Sequence, residues 1–109
     1  MSFVREPAVA GSFYPQDPGE LQQTVDDLLK KAASLITNDV SQDSQGRPLR
    51  QLMAVQVPHA GYIYSGLTAA VGYQLVRTLR PRRVVIGGPT HRVGFRGIAL
   101  SEATAFATP

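Results

Sequence analysis

The sequence holds two histidines, His59 and His91. Imidazole is the side chain best suited to bind a transition metal or to move a proton near neutral pH. His59 stands two residues after Val57, where the apolar run Leu52-Met53-Ala54-Val55-Gln56-Val57 ends. His91 stands just beyond a second run, Arg83-Val84-Val85-Ile86-Gly87. Parallel strands place their C-terminal ends on one edge of a sheet, with neighbours about 4.8 Å apart. Ligands of open α/β sheets bind at that edge. Both imidazoles are therefore expected there, as catalytic or metal-binding groups. Two convergent imidazoles suit Zn, Fe or Cu, and the facial triad of non-haem Fe(II) enzymes adds one carboxylate. Two ligands alone hold a metal poorly, so a third is expected from elsewhere. A single histidine after a strand more often stabilises a loop, and it is the equivalence of the two positions that raises the chemical reading.

The neighbouring residues also carry two readings each. Tyr62 and Tyr64 suit the walls of a pocket or proton donors, against a plain packing role. Ser65 fits a helix cap. It does not fit a nucleophile elbow, because Ile63 stands where that motif needs its first glycine. Gly61, Gly66, Gly87, Gly88, Gly94 and Gly97 surround the two histidine loops. No Gly-Lys-Ser/Thr and no Gly-x-Gly-x-x-Gly accompanies them, so they read as turn formers. Arg80, Arg82 and Arg83 read as the solvated end of a helix, where cations are favoured.

The elements that would position these residues follow from pattern. Phe3–Pro15 contains two prolines and a glycine, which exclude a helix and predict an extended arm lying on the domain. Asp17-Pro18-Gly19-Glu20 predicts a helix start with Asp17 as N-cap and Pro18 in the first turn. Leu21, Val25, Leu28, Leu29, Ala32 and Ile36 continue it as one apolar stripe to about Leu35, with Lys30 and Lys31 near its C-terminal turn. Residues 37–50 are polar and predict a solvated surface loop. Leu52–Val57 and Arg83–Gly87 predict buried parallel strands. Ser65 through Leu67, Ala70, Val71, Leu75 and Leu79 predicts a helix between them, ended by Pro81. Gly97–Leu100 predicts a third, short strand. The fold class is α/β: a parallel-sheet core with flanking helices, joined by a right-handed crossover.

Composition sets the outer limits. Of 109 residues, 29 are Leu, Ile, Val or Phe, above the roughly one-fifth floor for ordered chains. Charged residues are only 17%, below the usual ~25%. Such a chain buries much of its surface or is part of something larger. Cysteine is absent, which excludes a disulfide framework, a zinc ribbon and a Cys nucleophile within these residues. The net charge of +3 is too small, and too interspersed with acids, for a nucleic-acid partner to be expected. No apolar run approaches the ~18 residues of a membrane span. The first residues lack the pattern of a secretory signal, so a cytoplasmic location is expected.

Four sequence blocks resemble one family. They are Pro7-Ala8-Val9-Ala10-Gly11-Ser12-Phe13-Tyr14-Pro15, Pro58-His59-Ala60-Gly61-Tyr62 with Tyr64-Ser65-Gly66, Gly88-Pro89-Thr90-His91, and Ala105-Phe106-Ala107-Thr108-Pro109. They resemble the Memo family, whose bacterial and archaeal members are called AmmeMemoRadiSam system protein B. The resemblance implies a fold similar to class III extradiol dioxygenases and places His59 and His91 as the metal-site histidines. It implies a metal-binding redox protein, with a non-haem iron dioxygenase-like activity on a chelating catecholic substrate as the enzymatic form. Fe(II) or Cu would be the divalent metal. The alternatives are a non-catalytic module that holds a peptide or partner protein in a vestigial cleft, and an accessory protein of a radical-SAM system.

Two departures matter. Many family members carry a second histidine where this chain has Arg92, a cation that would favour an anionic ligand in a pocket walled by Tyr62 and Tyr64. Members are also well over twice this length. The expectation is therefore that residues 1–109 are the N-terminal portion of one Memo-like domain, with the third ligand outside this chain.

Overall fold

The computed structural model describes residues 2–36, 42–43, 45–48 and 52–109. Asp17 starts the first long element. Its backbone is extended, and its Oδ1 accepts a hydrogen bond from the Glu20 N–H at 2.9 Å. That satisfies one of the donors a helix start leaves orphaned. The helix α1 spans Pro18–Leu35, the expected range. Leu21, Val25, Leu28 and Leu29 are half-buried along its stripe and Ala32 is fully buried. The last turn carries no basic residue, because Lys30 and Lys31 stop just short of it.

The second helix, α2, spans Tyr62–Leu79. It begins three residues before Ser65, so Ser65 is not its cap. Gly61 takes the cap position without a side-chain bond, and the Phe13 carbonyl accepts from the Tyr62 N–H at 2.8 Å. The N-terminal arm thus supplies the cap from outside. Arg80 ends α2 in the left-handed region, at φ 46°, immediately before Pro81, which cannot continue a helix.

α2 packs on two sides through glycine. A Cβ on Gly66 would lie 3.0 Å from Leu28 Cδ1 of α1. A Cβ on Gly72 would lie 2.5 Å from Val57 Cγ1 and 3.0 Å from Val55 Cγ2. Six helical residues turn about 240°, so the two glycines serve different faces. One takes α1, and the other takes the extended run 52–57.

The sheet departs from expectation. Leu52–Val57, Arg83–Gly87 and Gly97–Leu100 are not hydrogen-bonded strands. The first two line one open groove of about 510 Å³, together with Tyr73, Val76 and Leu79 of α2. The reason is physical. A buried parallel sheet needs cover on both faces, and here the second and third runs are exposed throughout. Val85 is 97% exposed and Ile98 92% exposed. The ladder that does form is a parallel pair between β1 (Val4–Arg5) and β2 (Ala105–Phe106). Thr104 N–H donates to the Phe3 carbonyl at 3.0 Å and Ala107 N–H to the Arg5 carbonyl at 2.8 Å. The Arg5 guanidinium lies 5.5 Å from the centre of the Phe106 ring, its register partner. Helices and a small parallel sheet make the chain α/β in that coarse sense.

Most of the polar loop expected over 37–50 lies outside the described residues. Its described part closes on itself. Asp43 Oδ1 accepts from Gln45 and Arg47 N–H, and Asp43 Oδ2 pairs with Arg47 Nε at 2.6 Å.

Candidate metal centre

Each histidine sits on an exposed loop beyond an extended apolar run. His59 lies between Val57, which packs against Gly72 of α2, and the start of α2 itself. His91 lies at the bend that follows Gly88-Pro89-Thr90. The two loops meet. His59 Nε2 and His91 Nε2 are 3.1 Å apart, with ring centroids at 5.2 Å and planes inclined by 40°. The convergence argued from strand ends is therefore present, although the runs carrying the histidines form no ladder.

A contact between two Nε2 atoms has two chemical meanings. One ring can donate its N–H to the other, which requires different tautomers. Alternatively, both lone pairs can face one cation. Metal–imidazole bonds are about 2.0–2.1 Å, so two such ligands stand about 2.8–3.4 Å apart between right-angle and tetrahedral geometry. The observed separation lies inside that window, so this pair of donors fits one metal ion. No group of three His, Cys, Asp or Glu gathers at any point among the described residues.

The other expected site residues, Arg92, Tyr64 and Tyr62, differ in their surroundings. Arg92 follows His91 in the same exposed bend. Tyr64 is 87% exposed, near the start of α2. Tyr62 turns to the interior between the helices. Its ring is 5.7 Å from that of Tyr14, and it lines an apolar cavity of about 320 Å³ with Val25, Leu28, Leu29, Ala70 and Tyr73. Burial, and then the phenols of Tyr14 and Tyr73, push the Tyr62 pKa up.

Two hydroxyls close to the histidines were not expected to bear on the site. Ser65 Oγ donates to the Ala60 carbonyl at 3.2 Å. Thr90 Oγ1 donates to the Val93 carbonyl at 2.7 Å and accepts from the Val93 N–H at 3.4 Å. Their closeness to His59 and His91 in sequence was the available signal.

Residues 5–109 match the model of the family described as Memo-like protein. The chain belongs to the Memo-like family. A MEMO1 family protein of Aquifex aeolicus is 39% identical over 106 residues, covering 97% of this chain and 34% of that protein. One from Nitrosopumilus maritimus is 32% identical over 106 residues, covering 97% and 36%. One from Saccharolobus islandicus is 41% identical over 88 residues, covering 80% and 30%. The chain thus spans about a third of the length of these curated relatives. No solved structure gives a significant match. No helix among the described residues is long and apolar enough to cross a membrane.

Proposed function

We propose that this Memo-like chain supplies two ligands, His59 and His91, to a divalent metal site in a redox protein of dioxygenase-like architecture. The observation that carries the reading is the 3.1 Å separation of the two Nε2 atoms. A bound Fe(II) or Cu ion would supply redox chemistry to a chelating substrate. The chain's own residues bind and orient. The two imidazoles present neutral Nε2 donors from two loops, and Arg92 sets a positive charge beside one of them, which favours an anionic ligand. The third ligand comes from outside these residues. In the complete architecture the runs 52–57 and 83–87 are neighbouring parallel strands, with their edge under the histidines.

The test is metal analysis of the full-length protein. Stoichiometric Fe or Cu is expected, and it should disappear in both His59→Ala and His91→Ala. A metal-free protein with an intact fold would overturn the reading.

The second reading is a partner-binding module. The open groove along 52–57 and 83–87 favours it, because unpaired extended backbone can accept a peptide as an added strand. Peptide binding that is unchanged in the two histidine variants would support this reading over the first. The radical-SAM association is tested by gene neighbourhood, and loses its support if no such system lies nearby.

A further inference from the structure

Both histidines sit on short loops rich in glycine, where backbone freedom is large. A metal site requires the opposite, because ligands are held best by groups that fix their orientation. The question is what fixes these two loops.

On the first loop, the Gly61 carbonyl accepts from both the Tyr64 and Ser65 N–H groups. No backbone N–H among the described residues reaches the Ala60 carbonyl. The Ser65 hydroxyl does, at 3.2 Å. It ties the residue after His59 to the first turn of α2. On the second loop, no backbone–backbone hydrogen bond is found among residues 88–97. The Thr90 hydroxyl spans the bend instead, using its proton on the Val93 carbonyl and its oxygen on the Val93 N–H. His91 and Arg92 lie inside that clasp. Each histidine loop is therefore closed by one side-chain hydroxyl, placed six residues after His59 in one case and directly before His91 in the other.

We propose that Ser65 and Thr90 are positioning residues, whose hydroxyls clasp the two histidine loops so that both Nε2 atoms face one point. The proposal rests on the reading of His59 and His91 as a ligand pair. Neither hydroxyl touches an imidazole. Each limits how far its loop can turn the ring away. Losing one clasp frees one ligand, and outer-sphere losses of this kind lower metal affinity by about tenfold or more.

The test uses the full-length protein with cobalt(II) as the probe. Ser65→Ala and Thr90→Val are expected to weaken cobalt binding about tenfold and to alter its visible ligand-field bands. Ser65→Thr and Thr90→Ser, which keep the hydroxyl, should restore both. Far-ultraviolet circular dichroism checks that each variant is folded. A readout without metal runs in parallel. Imidazole nitrogen NMR should show one ring of the parent protein held as the Nδ1–H tautomer by the contact between the rings. That signature should collapse to a free tautomer mixture in Ser65→Ala and Thr90→Val. Parent-like cobalt affinity, bands and nitrogen shifts in both hydroxyl-free variants overturn the proposal. A parent that binds no cobalt sinks the ligand reading alone, and the nitrogen signals then decide the positioning role.

Discussion

His59 and His91 meet through identical atoms, and this constrains their protonation. An Nε2–Nε2 contact at 3.1 Å is repulsive when both nitrogens carry protons. It is attractive when one proton or one cation is shared. Tyr62 shows the opposite case, a polar group kept away from solvent chemistry. Its phenol is half-buried beside Tyr14 and Tyr73, and its pKa is raised, first by burial. A raised folded-state pKa gives a stabilising contribution that is present below the unfolded value of about 10 and is lost as pH rises through the folded value. The phenolate absorbance of the protein minus that of Tyr62→Phe should titrate above pH 10. A midpoint at or below 10 would contradict the packing between the helices described for this ring.

At the scale of elements, α2 is the organiser. It meets α1 through Gly66 and the run 52–57 through Gly72. The two glycines predict unequal outcomes for the same change. Gly72→Ala drives a methyl to within 2.5 Å of Val57 Cγ1, a branched side chain that cannot swing clear. Overpacking of this kind costs about 1–3 kcal/mol, against about 1 kcal/mol of helix propensity regained, so hydrogen-exchange protection of α2 should fall by up to about thirtyfold. Gly66→Ala meets the tip of Leu28, which can rotate, and regains about 1 kcal/mol of helix propensity. Its protection should change by less than about tenfold. Equal losses in both variants would show that the Gly72 contact does not set the position of the first histidine-bearing run. The pattern of α1 was legible because cap, proline and stripe are local and agree. The start of α2 was misplaced because its cap is the Phe13 carbonyl, a backbone group some fifty positions away that leaves no mark in the local sequence.

At the scale of the whole molecule, the chain exposes more than a finished domain does. Its accessible surface is 9613 Å², against about 5,900 Å² for a compact monomer of this mass. Its radius of gyration is 16.2 Å, against about 13 Å. The excess includes the apolar stretch Val84-Val85-Ile86 and the pair Ile98 and Leu100, all exposed. Unpaired extended segments of this kind invite edge-to-edge pairing. The 109-residue chain by itself is expected to associate as concentration rises in sedimentation experiments, and to lack a cooperative monomeric melt. A concentration-independent monomer with a sharp thermal transition would refute this.

The sequence alone determined what depends on near neighbours. It placed α1 over about Pro18–Leu35, the observed range, because helix caps and apolar stripes act within a few positions. It put one histidine beyond each of the apolar runs 52–57 and 83–87, although the buried parallel strands expected there are not formed. It also held the motifs by which the chain belongs to the Memo-like family. Tertiary structure decided what depends on distant partners. The expected strands lack a ladder because a strand exists only with a neighbour at hydrogen-bonding distance, and composition does not specify that neighbour. The ladder that forms joins residues about a hundred positions apart, through segments too short to show a strand pattern. The 3.1 Å meeting of His59 and His91 likewise joins residues 32 positions apart, whereas the hydroxyl clasps beside them are local, spanning three and five residues.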